Sequence, residues 1–124
     1  MESWQKTHVA LIIPISRALY KYDSDNYRLS KSYATIKTMI LATRECFSAL
    51  KALGVKVTPG KLNFYYQPIF VLAPLYMLIM NTRTAEYAMA KHTRTGKDEI
   101  GVLENKLRAM IAESKVKTPN LDRL

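Results

Sequence analysis

Cysteine is nearly missing from this chain: of 124 residues, Cys46 alone carries a thiol. No intrachain disulfide can form, which points to a reducing compartment, and a cytoplasmic location is expected. Cys46 itself reads as a small buried hydrophobe. Glycine and proline are also scarce, at 4 and 5 residues, too few for a loop-rich or fibrous protein. The glycines at 54, 60, 96 and 101 form neither G-x-G-x-x-G nor a phosphate-cradling loop, so no recognisable dinucleotide site of the chain's own is expected. Its two histidines, His8 and His92, have no second ligand three or four residues away, and no cysteine pair exists. A metal site is not expected. A G-x-S-x-G nucleophile elbow is absent too.

Negative charge is short as well. Asp and Glu number 10 against 19 Lys and Arg, a formal charge of +9. The cations are scattered, with no run of five and no aromatic-rich binding motif, so nucleic acid is not an expected partner. A solvated basic surface remains, able to attract anionic metabolites. The apolar span Ile69–Met80 has twelve residues without a charge. A membrane span needs roughly 20, and prolines at 68 and 74 argue instead for two short helices buried in protein. Neither a secretory leader nor a membrane partner is expected.

Helical periodicity dominates what is present, and an all-α single domain over residues 1–124 is expected. A first helix runs from Ser3 to Tyr20, with Trp4, His8, Leu11, Ile15 and Leu19 on one face. The polar stretch Asp23–Asn26 follows and supplies caps. The cleanest stripe is Leu29, Tyr33, Ile36, Ile40, Thr43, Phe47 and Leu50, one long helix closed by Gly54. Residues 55–60 read as an extended connector. Asn81 reads as the cap of a helix through His92 that Gly96 interrupts, and Thr118–Leu121 as a terminal turn. Asp98 and Glu99 open the last strong stripe, where acidic residues favour a helix N-terminus.

Two groups stand out chemically. Lys6 places an amine at the start of an apolar helix, costly to bury unless an anion meets it or it snorkels to water. Glu99 is a carboxylate far along the chain. Brought together in a cleft, a Lys–Glu pair can pass a proton to a carbonyl oxygen.

Several segments in order resemble the ketopantoate reductase (2-dehydropantoate 2-reductase) family. They are Trp4-x-Lys6, Arg44-Glu45, Ala52-Leu53-Gly54-Val55-Lys56-Val57-Thr58-Pro59, Asp98-Glu99-Ile100, and the tail Lys115-Val116-Lys117-Thr118-Pro119-Asn120. The resemblance covers the chain but only the family's C-terminal helical domain, of the 6-phosphogluconate dehydrogenase C-terminal-like kind. It implies an NADP-dependent 2-keto acid reduction in pantothenate biosynthesis. Lys6 would protonate the keto oxygen, and Glu99 would organise substrate and lysine. The cofactor would sit on a separate Rossmann-domain partner, without which this chain is not competent. The family's asparagines four and eight residues past the lysine are Ala10 and Pro14 here, and its Ser and Asp positions fall near Tyr87 and Lys91. His8, His92 and Asp98 are the substrate contacts expected in their place. The competing expectation is a non-catalytic helical module for dimerisation or partner binding, and a homo-oligomer is expected in either case.

Overall fold

A computed structural model describes residues 3–58 and 64–124, with Ser3 described in backbone only. It is all-helical, and no strand occurs among the described residues. The elements are α1 (Ser3–Tyr20), α2 (Asn26–Ser30), α3 (Tyr33–Ala52), α4 (Ile69–Met80), α5 (Arg83–Ala85), a π-helical turn (Glu86–Ala90), α6 (Lys91–Thr95), α7 (Lys97–Ser114) and α8 (Pro119–Arg123).

Helix α3 is the hub. It packs against α1, α2, α4, α7 and α8. Its stripe Ile36, Ile40, Thr43, Phe47 and Leu50 is fully buried, and Phe47 meets Tyr65 edge to face at 5.7 Å. The expected single long helix is divided, because Ser32 accepts a hydrogen bond from the Thr35 backbone N–H and starts α3 afresh. Asp25 caps α2 in the same way, through the backbone N–H groups of Tyr27 and Arg28. At the other end the stop signal holds. Gly54 takes a φ of +78°, the Val55 N–H reaches the Leu50 carbonyl, and the Gly54 N–H reaches that of Lys51. Those two bonds make a Schellman cap, for which glycine's freedom at positive φ is suited.

Helix α1 spans the expected residues but buries more than one stripe. Val9, Ala10, Ile13, Ala18 and Leu19 enter the core, while Trp4 is 60% exposed. Helix α4 departs from expectation twice. It is continuous through Pro74, and half its circumference stays in solvent. Pro74 is tolerated where the Phe70 carbonyl loses its partner on an exposed side of the helix. Asn81 ends α4, and the cap of the next helix is Thr82, whose hydroxyl accepts from the Ala85 N–H.

Polar ties lock the ends. The Arg44 Nε donates to the Tyr65 carbonyl at 2.5 Å, and its guanidinium also reaches the Gln67 carbonyl, fixing the approach to α4. Glu45 accepts from the backbone N–H groups of Asn120 and Leu121 and from the Asn120 side chain, at 2.8–3.1 Å. The expected terminal turn is therefore a short helix, α8, with Leu121 buried beneath it. Of the 55–60 connector, Pro59 and Gly60 lie outside the described residues. No helix among the described residues is long and apolar enough to cross a membrane.

Candidate functional site: a cleft between α1, α6 and α7

The relation of α1 to α7 is set by two contacts. Arg17 donates to Glu104 at 3.0 Å, and the Lys97 amine lies over the Tyr20 ring at 5.5 Å. As numbers rise on one helix they fall on the other, so the two run antiparallel. The start of α7 therefore lies beside the end of α1. Between them, with α6 and the π-helical turn as the third wall, is a cleft of about 480 Å³.

The floor is apolar: Leu11, Ile12 and Ile15 of α1 face Ile100 and Leu103 of α7, and Ala88 and Met89 close the third side. Polar groups sit at its ends. Glu99 is the third residue of α7, and its carboxylate folds back over Gly96. The His92 carbonyl closes on the same glycine and accepts its N–H at 2.8 Å. A side chain at 96 would come within 3.0 Å of that carbonyl and 4.0 Å of the Glu99 carboxylate. Gly96 thus lets His92 and Glu99 share one end of the cleft. His8 marks the other end, about 12 Å along α1 from Ser16 at the helical rise.

Three of the five expected site residues, His8, His92 and Glu99, are gathered here from separate parts of the chain. Lys6 and Asp98 do not line the cleft. Two residues from His8, Lys6 is turned about 200° around α1. It also lies about 21 Å along the axis from Tyr20, beside which the Lys97 amine lies. A Lys6–Glu99 pair is not assembled within this chain. Asp98 is exposed in the first turn of α7, where its charge suits the helix dipole.

Ser16, Met89, Thr93 and Gly96 also line the cleft and were not anticipated. The π-helical turn is what brings Met89 round. Such a turn widens the helix by one residue and is enriched at functional sites, but periodicity does not announce it. Thr93 is held rigidly, donating to the Ala90 carbonyl at 2.7 Å and bonding the buried Ser24 hydroxyl at 2.8 Å. Beside the cleft, the pKa of the Tyr20 hydroxyl is raised, by burial first and by the Glu104 charge second. No Lys or Arg is among the lining residues, and no group of three His, Cys, Asp or Glu able to hold a metal occurs among the described residues.

The described glycines 54, 96 and 101 stand at a helix end, a helix junction and inside α7, and no strand precedes any of them. No strand-to-helix glycine turn of the Rossmann kind occurs among the described residues. No family model, curated protein or solved structure matches the chain.

Proposed function

We propose that the chain is the substrate side of a 2-keto acid reductase of the ketopantoate reductase type, with NADP held by a separate Rossmann domain. One observation carries the reading: His8, His92 and Glu99, distant in sequence, converge on a single apolar-floored cleft of substrate size. An imidazole and a carboxylate at one end are groups that can hold or pass a proton at a carbonyl oxygen. With no Lys or Arg lining the cleft, the imidazoles and the Ser16 hydroxyl are donors for a substrate carboxylate. The floor of Leu11, Ile12, Ile15 and Leu103 favours a keto acid with a branched aliphatic or aromatic tail over a short one. The hydride is left to the proposed Rossmann partner, and no hydride step is assigned to this chain's own residues.

Titrating the chain with 2-keto acids of increasing tail size, followed by NMR, tests this reading. Shifts should centre on His92, Glu99 and Ile15 and strengthen with the tail. His92→Ala should weaken binding about tenfold and Lys6→Ala should leave it unchanged, a tenfold change being about 1.4 kcal/mol. Binding lost in Lys6→Ala but kept in His92→Ala would move the site away from the cleft. No binding of any keto acid would remove the reading.

A further inference from the structure

We infer that α4 is the surface on which two copies of this chain pair, whatever ligand the cleft takes. Its twelve residues carry no charge. Leu72, Ala73, Tyr76 and Met80 are buried against the rest of the fold, and α4 packs on α2 and α3. The other half of the helix is Phe70, Val71, Pro74, Leu75, Leu78 and Ile79, all exposed, with Phe70 at 75% and Leu78 at 72%. At about 100° per residue these six form one continuous arc of about 180°. Apolar patches on a monomer rarely exceed about 600 Å², and side chains this size bring roughly 500 Å² from α4 alone.

A second copy fits this face better than other occupants. The chain carries a charge of +9, so two copies meeting almost anywhere else would set like charges together. The exposed arc of α4 has none to oppose. Phe64 and Tyr66, exposed just before α4, extend the apolar surface toward the roughly 800 Å² per partner of a standard interface. A cofactor domain would have to face the cleft, whose walls are α1, α6 and α7, whereas α4 sits on α2 and α3.

A twofold axis makes the contact self-complementary, with each residue meeting its own counterpart's partner. Phe70 and Leu78 lie symmetrically about Pro74, four residues to either side. An antiparallel pairing of two α4 helices therefore sets Phe70 of one copy on Leu78 of the other, with Pro74 at the axis.

Light scattering on the whole chain over roughly 10 to 500 µM should show the mass doubling, a range that brackets a Kd of about 100 µM. The Phe70→Glu/Leu78→Glu double variant should remain monomeric throughout, with an unchanged circular dichroism spectrum. Mixed Phe70→Cys and Leu78→Cys chains should oxidise to a cross-linked heterodimer, Cys46 being buried and silent. A monomer at the top concentration would overturn the inference, as would a dimer indifferent to the double substitution. So would adsorption of the wild type, but not the double variant, to anionic phospholipid vesicles without dimerisation, since a lipid surface would then be the occupant.

Discussion

Helices α3 and α4 lie against each other, and the more hydrophobic of the two is the less buried. Helix α3 mixes Lys37, Arg44, Glu45 and Lys51 with its apolar stripe, and every stripe residue from Ile36 to Leu50 is inside. Helix α4 has no charge anywhere, yet half of it faces water. Burial follows the number of neighbours, not the residue's own character. Helix α3 is surrounded by five helices, whereas α4 has been given two. Apolar residues beyond the fold's capacity to cover them are what a binding surface is made from.

The largest effect should come from the buried member of this pair. Phe47 is fully enclosed and packs edge to face on Tyr65. Truncation to alanine removes that contact and leaves a cavity, an expected loss of about 3–5 kcal/mol in urea unfolding. A smaller loss would mean that α1 and α4 can close the gap, and that α3 is less rigid a hub than its packing indicates.

Next is a polar tie on α3. Glu45 is the acceptor for two backbone N–H groups and one amide of α8. Glu45→Ala should cost about 2–3 kcal/mol, because charge-assisted bonds are lost and the donors are left unpaired. Hydrogen exchange should accelerate first at Asn120 and Leu121. Unchanged protection there would show that burial of Leu121 alone holds α8.

How far the chain reveals these features depends on whether their cause is local. The span of α1, the opening of α7 at Lys97–Glu99 and the stop at Gly54 all rest on periodicity and capping chemistry within a few residues. The break before Tyr33 is also local, but the continuous stripe from Leu29 to Leu50 outweighed the single signal of Ser32. Pro74 pointed to two helices, yet water at an exposed carbonyl lets one helix pass through it. What escaped was tertiary. Nothing near Glu45 announces that it will cap a helix 75 residues away. The cleft is half visible: His8, His92 and Glu99 stood out as residue types, but their meeting depends on the antiparallel course of α1 and α7. Lys6 stood out equally and is left at the far end of that course.

A third test uses the thiol on the buried face of α3. Burial, with the Glu45 charge second, pushes the Cys46 thiol up to about 12 from the ordinary 9. Between those pH values the unfolded chain releases a proton that the fold retains, so stability present below pH 9 drains away as pH rises toward 12. Cys46→Ala lacks this term. Its deficit relative to wild type should narrow by about 1 kcal/mol per pH unit across the window. A deficit constant with pH would mean that water reaches the thiol.

The smallest effect should come from the phenylalanine that α4 leaves outside. Phe70→Ala changes the same residue type as Phe47→Ala, but a ring 75% exposed gives up little contact when removed. In dilute solution the unfolding free energy should move by no more than about 0.5 kcal/mol. If two chains pair on α4, the cost must grow with protein concentration, because the native dimer is stabilised by mass action and the variant loses that gain. Phe47→Ala should show the same cost at every concentration. A Phe70→Ala cost that is small and flat would leave the α4 face a solvated surface, while a cost that is large and flat would place the ring inside the fold.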